Sequence, residues 1–186
     1  EKFVTWDDAT NQWAVGTPPA FGGIGHAYYH LALDPATGDL YLRGYYSTTV
    51  KKKAYGGGWT NIANAPNNPS NITGGLEWLT SLNGGAGGLA YSDPAGVWTW
   101  NPSSNAWTAR GALNGLGSFH TWIVAAGGFA YFGGGSEPAS TKMYRMDASG
   151  NAIAAPSTPI AAGISAGIVL RHPDGNQLLL FAQGTS

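Results

Sequence analysis

The 186-residue sequence predicts an all-β fold: a four-bladed β-propeller of four-stranded antiparallel blades, the ring closed by N- and C-terminal segments that share one blade. Three observations carry that prediction. Segments Val4–Trp13, Trp98–Trp107 and Tyr144–Ile153 superimpose without gaps, and each reads as strand, tight turn, strand. A shortened copy, Lys53–Trp59, replaces the longer turn with three glycines. The anchors Trp13, Trp59, Trp107 and Ile153 stand 46, 48 and 46 residues apart, and the count from Ile153 through Ser186 and on from Glu1 to Trp13 is again 46. A whole number of repeats predicts that the first and last segments complete one unit together, which removes the exposed edge of an open array.

The blades are expected at approximately 22–65, 74–112, 118–157, and 163–186 plus 1–17. In the first, His26 to Leu33, a turn over Asp34–Asp39, and Leu40 to Gly44 form one hairpin; Val50 to Tyr55 and Trp59 to Ile62 form the next. Ile164 to Arg171 and Gln177 to Ala182 repeat the first hairpin in the last unit, whose second hairpin is supplied by Phe3 to Val15. These runs are rich in β-branched and aromatic residues, Gly and Pro punctuate them, and no helical apolar period survives over 11 residues. In the superimposed turns, Asp7, Asn101 and Asp147 can each bond the backbone two residues on, and the Asn near the turn's end tolerates a left-handed backbone.

Composition narrows the function classes. The chain is 43% apolar, 12% aromatic and only 10% charged, with a formal charge of -1 and no Cys. One domain fits this length, which buries about 70% of the unfolded surface without staples. Absent Cys excludes a disulfide framework, thiol catalysis and thiolate metal sites. Near-zero charge argues against a nucleic-acid partner, which needs a clustered basic footprint. No apolar run approaches the roughly 18 residues of a membrane helix, so no membrane insertion is expected. A first residue of Glu1 rather than Met reads as a processed product or an excised domain, with an extracellular or virion-associated location favoured.

The motif spacing carries a resemblance. Trp6 to Trp13 and Trp100 to Trp107 place an aromatic before Asp or Asn and a Trp seven residues later, and Gly133-Gly134-Gly135 with Met146-Asp147 matches the first half of the same pattern. This resembles the kelch repeat family, in four repeats, and implies its β-propeller fold. The sequence departs from that pattern at Arg43-Gly44, Ser92-Asp93 and Gln183-Gly184, where the glycine doublet is incomplete, and at Ile153, which stands in place of Trp.

Strand alternation places the tight hairpin turns at one end of the ring and the longer connections, 16–25, 45–49, 63–75, 110–118 and 136–141, at the other. Function concentrates on variable loops over a rigid scaffold, so a site is expected on the long-loop face. His26 and His120 fall near the start of innermost strands, beside Glu77, Trp78 and Trp122 at the channel mouth. Two imidazoles there could serve polar recognition or a metal. Strand capping outweighs the metal reading, because metal sites need three or four ligands, so neither a metal site nor a cofactor is expected. Tyr45, Tyr46, Trp78 and Trp122 escape the strict repeat and join His26, Glu77 and His120 as ligand-binding candidates, whereas Trp13, Trp59, Trp98, Trp100 and Trp107 are expected to fill the wedges between blades. Lys51-Lys52-Lys53 reads as a solvated strand protecting an edge. Of the acidic residues, Asp7, Asp8, Asp34, Asp39, Asp93, Asp147 and Asp174 do turn chemistry, while Glu77 and Glu137 lie at the long-loop face. No Gly-x-Ser-x-Gly elbow occurs, and no catalytic residue is assigned.

These features predict a non-enzymatic recognition or assembly module of a bacteriophage virion or secreted bacterial protein. Its expected partner is a protein or a cell-surface glycan, within a larger assembly. A lectin-like glycan binder is the alternative. A polysaccharide hydrolase or lyase centred on His26, Glu77 and His120 is the further one.

Overall fold

The structure, a computed structural model, describes residues 3–17, 30–44, 47–66, 75–93, 95–117, 121–135 and 140–157, together with the backbone of 164–171 and 177–184. Three four-stranded antiparallel sheets form in chain order. The first comprises β3 (Leu31–Leu33), β4 (Leu40–Arg43), β5 (Val50–Lys53) and β6 (Trp59–Asn61). The second comprises β7 (Gly75–Leu79), β8 (Gly88–Asp93), β9 (Gly96–Asn101) and β10 (Ala106–Gly111). The third comprises β11 (Thr121–Ala126), β12 (Phe129–Gly134), β13 (Met143–Met146) and β14 (Ala152–Ala155). Two further hairpins, β1 (Phe3–Asp7) with β2 (Gln12–Gly16) and β15 (Ile164–Arg171) with β16 (Gln177–Gly184), stand as separate two-stranded sheets. The first strands β3, β7, β11 and β15 pack side by side in succession, so the sheets radiate from a common line.

Turn chemistry makes the outer hairpins. The Asp7 carboxylate accepts from Ala9 N at 3.0 Å, Asn101 Oδ1 from Ser103 N at 2.8 Å, and Asp147 from Ser149 N at 2.9 Å, the same bond in three sheets. The chain then reverses through a left-handed residue: Asn11 with φ 54°, Asn105 with φ 49°, and Gly150 with φ 84°. Asn105 does more than turn. Its Oδ1 accepts from Trp100 Nε1 at 3.1 Å and, across to the preceding sheet, from Ala63 N at 2.9 Å. Asn105→Ala is therefore expected to cost about 2 kcal/mol, from two lost bonds and a strained backbone, and Asn105→Gly about half as much, because only the bonds are lost. Urea unfolding of the two variants checks this.

Alternate side chains of the second sheet face opposite neighbours. Trp78, Leu89, Tyr91 and Trp100 pack toward the first sheet with Ala32, Tyr41 and Val50. Tyr41 stacks on Trp78, ring centroids 5.2 Å apart and planes at 17°, and meets Trp100 at 5.6 Å. Leu79, Ala90 and Val97 pack the other way, with Ile123, Ala130, Phe132 and Met146 of the third sheet. The inner strands approach closely enough that a Cβ on Gly75 would collide with Ile123, so glycine sets the β7–β11 spacing. The outer strands β6 and β10 are also tied backwards by their tryptophans: Trp107 Nε1 donates to the Ala63 carbonyl at 3.0 Å, and Trp59 Nε1 to the Thr17 carbonyl at 3.2 Å. In both cases the acceptor lies four residues beyond the preceding anchor, Trp59 or Trp13.

The expected blade shared by both chain ends is not seen as one hydrogen-bonded sheet among the described residues: β1 pairs with β2, and β15 with β16, and ring closure is not detected. Two expectations are corrected. Trp13 is not a wedge filler but 68% exposed, whereas its counterpart Trp107 is half-buried; likewise Trp6 is 43% exposed while its counterpart Trp100 is buried at 3% because a neighbouring sheet covers it. Lys51–Lys53 do not guard an edge, since β5 pairs with β4 on one side and β6 on the other. Lys52 instead forms an ion pair with Asp39 at 2.5 Å, and Lys53 Nζ donates to the Gly57 carbonyl at 3.0 Å.

Candidate functional site

Glu77 occupies the middle of β7, opposite Ala90 on β8, where neighbouring positions of the strand are buried. Its Oε1 accepts the N–H of Trp78 at 2.9 Å, and the N–H of Ala125 on β11 also donates to the carboxylate. The carboxyl thus lies between two innermost strands, held by their backbones. Burial outweighs those two donors and pushes its pKa from 4.5 up to about 7. A carboxyl in that state exchanges a proton near neutrality, which is the requirement for general acid–base work.

Beside Glu77 opens a pocket of about 610 Å³, bounded by Leu33, Pro35, Trp78, Thr80, Ala126 and Gly128. These are the turn ends of the inner hairpins of three sheets. Ser81 Oγ donates to the Gly128 carbonyl at 2.7 Å and ties two of those turns together. A second cleft, about 640 Å³, lies where the β1–β2 turn faces the first sheet, between Trp6, Asp8, Gly38, Lys53 and Tyr55. Among the described residues no group of three or more His, Asp or Glu side chains could hold a metal ion.

The long-loop expectation is therefore corrected for Glu77: its pocket lies at the tight-turn end. The turns of three neighbouring sheets converge there on the common line, and small residues such as Gly127 and Gly128 leave space between them. Trp78 lines this pocket, yet its ring is mostly spent on Tyr41 and lies over Gly87, where a Cβ would come within 2.6 Å of it. Trp122 is 1% exposed, packed with Val124 and Met143, and a Cβ on Gly133 would sit 2.5 Å from its ring, so it is a core residue. His26, Tyr45, Tyr46 and His120 lie outside the described residues, as do Glu137 and the Asn71-Ile72-Thr73 sequon. The pocket's turn residues carry no motif; the readable signal was only that Glu77, unlike most of the acids, is not in a turn.

Comparison with solved structures finds the same architecture in a catalytically inactive variant of virginiamycin B lyase from Staphylococcus aureus, solved with quinupristin. The two are 12% identical with a TM-score of 0.64, over 96% of this chain and 56% of that one. The fold is propeller-like. A streptogramin B lyase structure matches at 12% identity and TM-score 0.61, over 100% of this chain and 62% of its own. A fungal alcohol oxidase in complex with copper matches at 15% and 0.55, over 100% and 48%. This chain spans about half to three-fifths of the length of these proteins. No family model matches the chain, and no curated protein sequence does.

These propeller-like neighbours correct the expectation of a non-enzymatic recognition or assembly module. They are enzymes, two of them lyases, and the enzymatic alternative accounts for them better. At 12–15% identity the likeness is one of fold, and the chemistry rests on this chain's own residues.

Proposed function

We propose that this chain is a lyase-type enzyme, or the part of one that carries the site, with Glu77 as its proton-transfer group. The observation that carries the reading is the Glu77 carboxyl itself: held by two backbone N–H groups, open to a pocket of about 610 Å³, and poised at about pH 7. In an elimination, the Glu77 carboxylate takes a proton from a carbon next to a carbonyl. The C–H electron pair becomes the new C=C bond, and the leaving group departs with its bonding pair. The Glu77 carboxylic acid returns the proton to it, so the reaction balances without water. The lining mixes the apolar side chains of Leu33, Pro35, Trp78 and Ala126 with polar groups and, among the described residues, includes no Lys, Arg or His to meet a carboxylate, which favours an uncharged acyl, ester or peptide-like substrate over a uronate.

The test is a panel of quinupristin, acyl esters, and neutral and acidic polysaccharides, read by the ultraviolet absorbance of an α,β-unsaturated product. Activity on a turned-over substrate is expected to rise through about pH 7 as Glu77 ionises and to level off above it. Glu77→Gln is expected to lower kcat by about 100-fold or more with little change in KM. Full activity in that variant, or release of reducing ends without unsaturation, overturns the reading.

The scaffold belongs to the same reading: β1–β2 and β15–β16 are the outer and inner halves of one blade type. The Trp59 to Thr17 bond supports this, because it repeats the Trp107 to Ala63 bond one unit earlier and seats β1–β2 where an outer hairpin precedes the first sheet.

A further inference from the structure

The Glu77 pocket and the second cleft share a wall. Leu33 and Pro35 line the first, Gly38 and Leu40 line the second, and all four belong to the β3–β4 hairpin, at or beside its turn. The other walls are hairpin turns as well: β7–β8 and β11–β12 around Glu77, β1–β2 and β5–β6 around the cleft. Both openings therefore lie at the same end of the molecule, one on each side of a single ridge, the Asp34–Asp39 turn.

Hydrogen bonds hold that ridge from within. Asp34 Oδ1 accepts the N–H of Ala36 at 2.9 Å and Oδ2 the hydroxyl of Thr37 at 2.8 Å, while Asp34 N donates to the Asp39 carbonyl at 2.9 Å. Asp39 Oδ1 accepts the N–H of Tyr55 at 2.9 Å, which fixes the β5–β6 turn to the ridge. The Tyr55 ring lies against Gly38, where a Cβ would come within 3.1 Å of it, and yet the residue is 83% exposed. An aromatic ring held at the edge of a cleft with most of its surface in water is a ready stacking surface. On the β1–β2 side the cleft is lined by Thr5, Asp7 and Asp8, and Asp8 Oδ1 accepts from Trp6 Nε1 at 3.4 Å.

We infer that the cleft is a remote subsite for the substrate that reacts at Glu77: an extended, peptide-like molecule lies across the Asp34–Asp39 ridge, its reacting carbon in the Glu77 pocket and an apolar or aromatic side chain on Tyr55. This inference rests on the enzymatic reading of Glu77 above. The acceptors of Thr5, Asp7 and Asp8 suit peptide N–H donors, and the two carboxylates disfavour a polyanion. Contacts this far from the chemistry raise turnover as well as affinity, because the binding energy they supply holds the reacting carbon against the base.

Blocked peptides carrying one O-acetylserine, lengthened from dipeptide to octapeptide, test it. The Glu77 carboxylate takes the Cα proton, the C–H pair forms the Cα=Cβ bond, and acetate leaves with the Cβ–O pair and receives the proton. The dehydroalanine left behind absorbs in the ultraviolet. Both kcat and kcat/KM are expected to rise with length, kcat/KM by about tenfold or more. In Tyr55→Ala that advantage is expected to fall about tenfold; in Tyr55→Phe, which keeps the ring, it persists, and in Ile153→Ser, an exposed site on β14 outside both linings, it is unchanged. Calorimetry with the octapeptide carrying alanine in place of O-acetylserine is expected to show binding that weakens by a similar factor in Tyr55→Ala. The dipeptide reports on Glu77 by itself, and its full turnover by Glu77→Gln overturns the enzymatic reading and this inference together. Turnover that is independent of length, or a length advantage that survives Tyr55→Ala, overturns the subsite and leaves the Glu77 reading standing. Tyr55-dependent binding without turnover at any length overturns the path across the ridge.

Discussion

Arg43→Ala is expected to destabilise the protein by about 3–5 kcal/mol, a large effect for a single truncation. Arg43 ends β4 and is only 1% exposed, and its guanidinium lies 4.4 Å from the centre of the Tyr91 ring on the second sheet. The Tyr91 hydroxyl donates to Asp93 at 2.9 Å, so a cation, an aromatic face and a carboxylate form one buried group across two sheets. Burial holds the Arg43 pKa below its usual value, against the attraction of Tyr91 and Asp93, and pushes the Tyr91 phenol upward. The charged pair is costly to bury and costlier to split, because alanine would leave the Asp93 carboxylate in place without its cation. Arg43→Lys is expected to recover little, since an ammonium lacks the flat face that stacks on the ring. Denaturant unfolding measures the single variants, and Asp93→Asn in the Arg43→Ala background should restore part of the loss. A loss under about 1 kcal/mol in Arg43→Ala would show that the charge is not dry.

Glu77→Gln should do the opposite at alkaline pH and stabilise the fold. The Glu77 pKa rises from 4.5 to about 7 on folding, so the native state holds a proton that the unfolded chain has already lost. The contribution of the neutral carboxyl is fully present below pH 4.5, declines as pH rises, and is gone above about 7. Above that point the fold carries a buried charge costing roughly 3 kcal/mol, at about 1.4 kcal/mol per pKa unit. Glutamine keeps the shape and removes the ionisation. Thermal unfolding of the wild type and Glu77→Gln is therefore expected to agree near pH 4 and to diverge by about that amount at pH 8, the variant being the more stable. Equal stability at both pH values would place Glu77 in water. A variant that is more stable and less active at the same pH is the combination expected of a site group held against its solvation preference.

The outer hairpins were legible because their determinants are local. An Asp or Asn that bonds two residues ahead and a left-handed Asn before the next strand need nothing from elsewhere in the chain, and Asp7, Asn11, Asn101 and Asn105 behave accordingly. Burial was not local. Trp6 and Trp100 occupy the same position of matching segments, and the presence of a neighbouring sheet separates a 43% exposed ring from one at 3%. The Glu77 site was half legible: the residue stood out as a carboxylate on a strand, but its Ala125 donor and the turn-end pocket arise from the approach of β11, which no residue pattern in β7 encodes.

The backward ties from Trp107 to Ala63 and from Trp59 to Thr17 each reach one unit and no further. Cooperativity in such a molecule is a nearest-neighbour quantity, as in a one-dimensional lattice. A unit in the interior loses two junctions when it melts, and a terminal one loses a single junction, so melting runs inward from the ends. The same locality makes the number of units a free variable over evolutionary time: duplication or loss of one whole repeat leaves every remaining tie with its own donor and acceptor, and changes the size of the array without rewriting its code.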